Sequence, residues 1–323
     1  MIEDYSFFPL LQSNIIEMEM LIKQQAQGYH QDINSALEIL MKSGGKRIRP
    51  MITLLVGHML NAPASRLINL AASIELLHTA TLVHDDLIDG AMLRRGTPTL
   101  NSKWSTSATV LTGDFLFASA AKLAADTNSI SVMKLFAKTL MIIVNGEITQ
   151  QLSGKWEFDR ANYYKRIYSK TASLFETAAA SAALLSPYEK NYLEEMNMFG
   201  QEIGIAFQII DDILDFTGET ITLGKPVGSD LRQGLVTLPA IYYSEMNPDD
   251  LVIDSLKSRQ FPEVGFQIDN LINAIRNSDA VEKSKLDAKH YLQSGINKLH
   301  KLPSTDFREA LEEVAQTIID RNL

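Results

Sequence analysis

The sequence predicts an all-α protein, an expectation that rests on three features of its 323 residues. Apolar residues recur at three- and four-residue spacing through most of the chain, strict alternation is scarce, and runs rich in Val, Ile and Thr are scarce too. This periodicity is typical of helices that bury one face. The predicted helices cover residues 6–27, 31–43, 50–61, 65–90, 104–125, 129–153, 159–168, 171–185, 187–217, 235–246 and several further segments toward the C-terminus.

The longest predicted helices, 65–90 and 187–217, are apolar around most of their circumference. Helices of this kind occupy the centre of a bundle, where other helices surround them. The residues SPYE at 186–189 stand in register as an N-cap, a first-turn proline and a capping-box glutamate, which predicts a sharp helix start. No linker, repeat or low-complexity tract divides the chain, so we expect one helical domain over residues 1–323.

Composition narrows the possible function classes. The absence of Cys removes disulfides, iron–sulfur clusters, thiolate zinc sites and cysteine nucleophiles. The net charge of −9 argues against a nucleic-acid partner. The first residues, MIEDYSFFPLLQ, are acidic where a targeting peptide is basic, and no stretch approaches the roughly twenty uninterrupted apolar residues of a membrane-spanning helix. We therefore expect a cytoplasmic protein without a transmembrane segment.

Two aspartate motifs carry the strongest chemical signal, DDLID at 85–89 and DDILD at 211–215. Positions i and i+4 of a helix lie on one face about 6 Å apart. Asp85 therefore pairs with Asp89, and Asp211 pairs with Asp215. Either pair alone is equally compatible with a helix end that reaches solvent. Two copies at the C-terminal ends of apolar helices, where the helix dipole disfavours negative charge, favour a bound cation instead.

Magnesium suits these pairs, because Mg²⁺ prefers oxygen ligands and typically takes one or two carboxylates together with substrate phosphates. The implied substrate is a diphosphate, whose remaining charge requires Lys and Arg nearby. Four segments supply such residues, 44–50 (GGKRIRP), 94–96 (RRG), 170–171 (KT) and 224–226 (GKP), and the second and fourth of them follow shortly after an acidic pair. For the first segment, glycine caps and basic residues near helix ends are a structural alternative. His78, two turns before Asp85 on the same face, is either a packed residue or a phosphate ligand.

Together these motifs resemble the head-to-tail trans-polyprenyl diphosphate synthase family, and the resemblance covers almost the whole chain. The motifs that carry it are GGKRIRP, HDDLIDGAMLRRGTPT, GEITQ, KTA, FQIIDDILDFTG and LGKPVGSDLRQGLVTLP. The resemblance implies an antiparallel isoprenoid-synthase helical bundle, usually dimeric, around a central cavity between the two aspartate helices. It also implies that an allylic prenyl diphosphate is condensed with isopentenyl diphosphate. Gly90 departs from the pattern, because the family often carries an acidic residue there.

The resemblance assigns a role to each matching residue. Three Mg²⁺ ions would be held, two by Asp85 and Asp89 and a third by Asp211 with help from Asp215. The inner aspartates of the two motifs point about 100° away from these faces and are weaker candidates. The remaining implied residues are Arg94, Lys170 and Lys225 for the allylic diphosphate, Lys46, Arg49, His78 and Arg95 for isopentenyl diphosphate, and Thr171 and Gln208 for the developing carbocation.

The resemblance also implies that product length depends on the residues one turn below Asp85. Family members that make short products typically carry a bulky aromatic residue there, whereas this chain has Ala80 and Thr81. One helical turn of about 5.4 Å is close to the length of one isoprene unit. We therefore expect a product longer than geranylgeranyl, of hexaprenyl or heptaprenyl length, resembling the catalytic subunits that make quinone side chains. Two alternatives stay open: ordinary packing explains the small residues, or Phe115 or Phe117 closes the cavity earlier.

Three other function classes compete with this interpretation. A His-Asp metal phosphohydrolase would use His58 or His78 with His84 and Asp85, but it leaves the second motif without a role. A terpene cyclase or head-to-head synthase would share the fold and the metals but would have less need of a second diphosphate site. A non-enzymatic regulatory subunit should have lost one acidic motif. Some long-chain members of the family also require a small, dissimilar regulatory subunit, and the sequence leaves this question open.

Overall fold

The computed structural model describes residues 5–42, 45–94, 96–218, 226–258 and 264–319. Most of them are helical, and a single short antiparallel hairpin, β1 (Leu93–Arg94) and β2 (Thr97–Pro98), interrupts the helices of this described part. The helices are α1 (Phe8–Gln24), α2 (Gln31–Lys42), α3 (Ile48–Met59), α4 (Ala64–Ile88), α5 (Thr106–Asp126), α6 (Ile130–Leu152), α7 (Arg160–Ile167), α8 (Ser173–Leu184), α9 (Glu189–Thr217), α10 (Ser229–Arg232), α11 (Leu238–Met246), α12 (Leu251–Ser258), α13 (Val264–Arg276), α14 (Ala280–Leu299) and α15 (Asp306–Ile319). The all-α prediction is confirmed.

The predicted helix ends up to residue 246 lie within three residues of the observed ends, and two of the differences have a structural cause. The break predicted between 168 and 171 is absent, because a π-helical turn, Tyr168–Ala172, joins α7 to α8. The amide of Ser173 bonds the carbonyl of Tyr168, five residues back, which widens the helix locally. The helix predicted from 187 begins at Glu189 instead. There the Ser186 hydroxyl accepts from the amide of Tyr188 and donates to the carbonyl of Leu60, so a tertiary contact moves the start.

The chain divides into two compact units, of which the first comprises Met1–Leu140, Leu174–Gly200 and Lys298–Val314. Its central helix is α4, which packs against α1, α3 and α5. The packing of α3 on α4 is close because Gly57 has no side chain: a Cβ there would collide with Leu67. In the same way, Gly113 of α5 leaves room for the His84 ring. This packing fixes the C-terminal turn of α4, which carries the first aspartate motif.

The second unit comprises Met141–Ser173, Gln201–Asn297 and Ala315–Leu323. A polar cluster joins three of its helices: the hydroxyls of Tyr164 on α7 and Tyr242 on α11 both donate to one oxygen of Asp287 on α14. Gly295 brings α14 close to α9, since a Cβ there would lie 3.0 Å from Ile203. The contact with Ile203 places α14 against the middle of α9, whose C-terminal half carries the second aspartate motif.

Two helices, α4 and α5, are long and apolar enough to cross a membrane by length and composition. In α4, however, 67% of the most apolar 18-residue segment is buried within the protein, and in α5 the buried share of the corresponding segment is 44%. The core helix of a globular protein has the same length and composition, so burial is the property that distinguishes the two cases. The burial of α4 is that of a core helix.

Candidate active site

The first aspartate pair lies at the C-terminal end of α4. Asp89 is the C-cap residue, and its amide bonds the carbonyl of Asp85 at 2.8 Å, so one helical turn holds both side chains. Asp85 is half-buried and Asp89 is exposed. Both carboxylates stand at the negative end of the helix dipole, as the sequence predicts. Bound cations would relieve this unfavourable placement.

The inner aspartate of the first motif, Asp86, is buried and binds Arg94. The guanidinium Nε lies 2.8 and 3.0 Å from the two carboxylate oxygens, and Nη2 lies 2.7 Å from one of them. This bidentate ion pair fixes the hairpin of β1 and β2 to the end of α4. It also lines a small pocket of the first unit, whose walls are Ile39, Leu40, Val83, Asp86, Arg94, Thr97, Pro98, Thr99, Leu100 and Asn101. Sequence reasoning ranked Asp86 as a weak metal ligand and did not foresee its role as the anchor of Arg94.

Two of the residues predicted to bind isopentenyl diphosphate lie in direct contact. Nη1 of Arg49 is 3.2 Å from Nε2 of His78, and the Arg49 guanidinium carbon lies 4.4 Å from the centre of the Phe175 ring. Because a guanidinium only donates, Nε2 of His78 must accept. Lys46, at the start of the same turn, is exposed. The basic turn and the α4 histidine therefore form one basic cluster in the first unit.

The middle residue of this turn, Arg47, is buried instead of facing a ligand. Its backbone is left-handed at φ 46°, a conformation that costs energy for a residue with a side chain. The side chain pairs with buried Glu75, lies 3.5 Å from Glu19 and donates to the carbonyl of Met41 at 3.2 Å. These contacts stabilise the turn in its strained form. No pattern in the sequence pointed to Glu75, which lies 28 positions away from Arg47.

In the second unit, the predicted lysine lies on the π-helical turn. Lys170 is exposed, and its Nζ lies 3.2 Å from Oε2 of Glu147 on α6. Gly146 makes this approach possible, because a Cβ there would lie 2.5 Å from Cβ of Ser169. The GEITQ segment thus supplies Gly146, which allows the close contact with Ser169, and Glu147, which is the acidic partner of Lys170.

The second aspartate pair lies near the C-terminal end of α9, and its members differ in environment. Asp211 is exposed, whereas Asp215 is only 2% exposed. The Asp215 oxygens accept from the hydroxyl of Ser229 at 3.0 Å and from the amide of Asp230 at 3.2 Å, which fixes the start of α10. An ionised carboxylate has about four acceptor positions, so these bonds are compatible with a metal contact.

The inner aspartate of the second motif, Asp212, is buried among polar partners. It accepts from the hydroxyl of Tyr163 at 2.7 Å and from the amide nitrogen of Gln208 at 2.8 Å, and the hydroxyl of Thr171 donates to Gln208 at 2.6 Å. Burial raises the pKa of Asp212 to about 7, and the charge of Asp230 adds to this shift. Thr171 and Gln208, both predicted to face the carbocation, are therefore in contact.

The residues predicted to set product length lie in the interior of α4. Ala80 is fully buried, and Thr81 is half-buried with its hydroxyl donating to the carbonyl of His78 at 2.7 Å. Of the two alternative closing residues, Phe117 lies 5.1 Å from the His84 ring, and Phe115 lies the same distance from Tyr29. Two predicted site residues, Arg95 and Lys225, lie outside the described residues, as does Gly44 of the basic turn.

The donor set fits magnesium shared with a substrate better than a cage made of protein alone. Among the residues that the structure describes, no three His, Asp or Glu side chains cluster closely enough to hold a metal. Mg²⁺ usually keeps water and takes one or two carboxylates plus phosphate oxygens. Pairs such as Asp85 and Asp89 supply that number of carboxylates.

Comparison with known proteins identifies the family. A family model described as polyprenyl synthetase matches residues 30–274. Heptaprenyl diphosphate synthase component 2 of Geobacillus stearothermophilus is 36% identical over 325 aligned positions, which cover 98% of each chain. The chain belongs to the polyprenyl synthetase family.

Two solved structures are similar over nearly the whole chain. The heptaprenyl diphosphate synthase from Staphylococcus aureus gives a TM-score of 0.90 at 30% identity and covers 97% of this chain and 99% of that one. A polyprenyl synthase from Caulobacter crescentus CB15, complexed with calcium and isoprenyl diphosphate, gives 0.90 at 33% identity, covering 98% and 97%. The predicted isoprenoid-synthase fold and the predicted prenyltransferase class are confirmed.

Proposed function

We propose that this enzyme condenses an allylic prenyl diphosphate with isopentenyl diphosphate by ionisation, condensation and proton loss. The carbon–oxygen bond of the allylic substrate breaks, and its electron pair leaves with the diphosphate. The double bond of isopentenyl diphosphate then attacks the allylic cation, and the released diphosphate takes the proton lost from the new chain. The observation that supports this best is the placement of two carboxylate pairs at the ends of α4 and α9.

The metal ligands in this proposal are Asp85 and Asp89 for two Mg²⁺ ions and Asp211, assisted by Asp215, for a third. Bound Mg²⁺ would supply positive charge that stabilises the leaving diphosphate. The burial of the four side chains supports this assignment of direct ligands and an assisting residue. Asp85, Asp89 and Asp211 reach the protein surface, while Asp215 holds α10 in place.

The basic residues complete the two diphosphate sites. The contact between Arg49 and His78, with Lys46 at the same turn, supports a shared anion site for isopentenyl diphosphate. Arg95 belongs to this group by resemblance. Arg94, Lys170 and Lys225 are proposed for the allylic diphosphate. Arg94 and Lys170 each already contact one carboxylate, which orients their long side chains before substrate binds.

The proposed product is a hexaprenyl or heptaprenyl diphosphate, which would serve as a precursor of quinone side chains. The small residues Ala80 and Thr81 support a tail that passes the first turn below Asp85. Family relatives named for heptaprenyl products support the same length. The alternative is a shorter farnesyl or geranylgeranyl product, which would follow if Phe117 beside His84 limits the tail.

At the level of the whole chain, residues 1–323 are proposed to act as one catalytic domain, because the family model spans parts of both compact units. A homodimer is proposed from the family resemblance. A small regulatory subunit is a further proposal, supported by the word component in the name of the Geobacillus relative. A cytoplasmic location is proposed as well.

The decisive experiment incubates the purified chain with Mg²⁺, farnesyl diphosphate and labelled isopentenyl diphosphate, then separates the products by length. We expect incorporation of label into products longer than geranylgeranyl. Asp85→Ala and Asp211→Ala should each reduce turnover by at least about 10³-fold with an unchanged helical signal. Asp126→Ala, at the exposed end of α5, is the matched control and should retain activity.

Full activity in both aspartate variants would remove the metal assignment. If the chain alone does not incorporate label, activity that returns on adding the small subunit of a related two-component synthase would identify a missing partner. Phosphate release from nucleotides without prenyl transfer would instead favour the phosphohydrolase class.

A further inference from the structure

Four side chains of the second unit form a linear chain of hydrogen bonds. The hydroxyl of Tyr163 donates to Oδ2 of Asp212, Oδ1 of Asp212 accepts from the amide nitrogen of Gln208, and Oε1 of Gln208 accepts from the hydroxyl of Thr171. The three distances are 2.7, 2.8 and 2.6 Å. Tyr163, Asp212 and Thr171 are 1%, 3% and 6% exposed and Gln208 is half-buried, so bulk water has little access to these bonds.

The chemistry of the groups gives this chain one direction. An ionised carboxylate accepts and does not donate, so when Asp212 is ionised the amide nitrogen of Gln208 faces Asp212, and the carbonyl oxygen of Gln208 faces Thr171. A hydroxyl carries one hydrogen. When Thr171 donates that hydrogen to Gln208, only its lone pairs are left for any other neighbour. Reversal of the Gln208 amide would make Thr171 an acceptor and turn its hydrogen away from Gln208.

The direction matters for the proposed reaction, on which this inference rests. In that reaction Thr171 and Gln208 face a carbon that becomes positively charged. Lone pairs directed at this carbon stabilise the transition state, whereas a hydroxyl hydrogen directed at it destabilises the transition state. The π-helical turn Tyr168–Ala172 supports a specialised role for Thr171, because such turns occur frequently at functional sites.

We propose that Asp212, held by Tyr163, is a positioning residue that fixes the Gln208 amide and thereby makes Thr171 present lone pairs to the allylic cation. Asp212 itself does not touch substrate. Its substitution should therefore slow the chemical step through Thr171 and leave substrate affinity almost unchanged.

A double-mutant cycle tests this coupling. Asp212→Leu removes the acceptor at similar side-chain size, and Thr171→Val removes the hydroxyl at similar shape. With Mg²⁺ and both substrates saturating, we expect each single variant to lower kcat at least about tenfold. KM for each substrate should change less than about twofold. The double variant should equal Thr171→Val within about twofold, because Asp212 then has no hydroxyl to orient.

The matched control is Asp287, which also accepts from two tyrosine hydroxyls in the second unit. Asp287→Leu should change kcat less than about twofold, both in the wild-type chain and in the chain that carries Thr171→Val. Helical signal and unfolding midpoint are measured for every variant. If Asp212→Leu does not fold, the same double-mutant cycle is measured with Asp212→Asn. The amide of Asn both donates and accepts, so it does not require the Gln208 nitrogen to face it.

Unchanged kcat in the Asp212 variant that is used, or losses that multiply in the double variant, would overturn the proposal and show that Asp212 only supports the fold. A wild-type enzyme that fails to incorporate isopentenyl diphosphate, alone or with a partner subunit, refutes the proposed function and this inference together. If the wild-type enzyme is active and the losses of kcat multiply in the double variant, only the positioning role of Asp212 is refuted. The failure of this inference is therefore distinguishable from the failure of the proposed function.

Discussion

Individual side chains of the two aspartate motifs divide between surface and interior. Asp85, Asp89 and Asp211 reach the surface, while Asp86 and Asp212 are buried. A helix turns 100° per residue, so adjacent carboxylates cannot share one face. The buried members bind partners of the protein, Arg94 in one motif and a tyrosine with a glutamine in the other.

Another buried acidic residue, Glu75, stabilises the basic turn. Glu75→Gln should lower the free energy of unfolding by about 3 kcal/mol, because Arg47 is then left buried beside a neutral partner. It should also raise KM for isopentenyl diphosphate, since the strained turn positions Lys46 and Arg49. Denaturant unfolding and steady-state kinetics measure the two effects.

Glu38→Gln is the control for this prediction. Glu38 forms an exposed pair with Lys42 on α2, and removing such a pair should cost about 0.5 kcal/mol or less. Equal losses in the two variants would contradict the stabilising role of Glu75.

His58 gives the fold a dependence on pH. Burial lowers the pKa of His58 below its ordinary 6.5, and the ring bonds Asn14 and stacks on Phe307. As pH falls below 6.5, the unfolded chain takes up a proton that the folded chain does not, so the free energy of unfolding falls. Unfolding midpoints between pH 7.5 and about 5.5 should decrease less in His58→Gln than in wild type. His30→Gln, on an exposed side chain, should follow wild type.

Among the elements, the π-helical turn depends on a close contact with α6. Gly146→Ala ordinarily stabilises a helix by up to about 1 kcal/mol, but here the added Cβ would meet Ser169. We expect overpacking to dominate, lowering the free energy of unfolding by about 1–3 kcal/mol and reducing kcat through displacement of Lys170. Ser169→Gly in the same chain removes the clashing atom and should restore both quantities. A stabilised Gly146→Ala enzyme would show that the contact relaxes without cost.

The interior face of α4 is proposed to set product length. Ala80→Phe should shorten the longest product, because a ring one turn below Asp85 fills the path of the tail. Ala80 is fully buried, so Thr81→Phe, at a half-buried position, provides a second variant that tolerates the larger ring. Ala118→Phe on the exposed face of α5 is the control. An unchanged product distribution in active forms of both variants would refute the proposal that these residues set product length.

For the whole molecule, metal and diphosphate binding should be visible as stability. A ligand present at 100 times its Kd adds about 2.7 kcal/mol to the free energy of unfolding when it binds only the folded state. Mg²⁺ with inorganic diphosphate should therefore raise the unfolding midpoint of wild type more than either component alone. The increase should be lost in Asp85→Ala and Asp211→Ala and kept in Asp126→Ala. A full increase in the two site variants would place the ligands elsewhere.

Much of the molecule follows from local patterns. The helical periodicity, the placement of both aspartate pairs at helix ends and the basic turn before α3 were all readable from spacing, because helix geometry determines which residues share a face. Family resemblance had assigned Arg49 and His78 to one diphosphate site, and the two side chains are in contact. The same local patterns misjudged the join between α7 and α8 and the first residue of α9.

Spacing does not determine which face of a helix is buried, nor which distant residue meets it. Glu75 lies 28 positions from Arg47, and Tyr163 lies 49 positions from Asp212. Such pairs form only when packing brings separate helices together, so their partners leave no periodic signal. The residue types thus predict a helical enzyme with two acidic motifs suited to metal, whereas folding assigns each aspartate of a motif either to the surface or to an internal partner, since burial depends on long-range contacts.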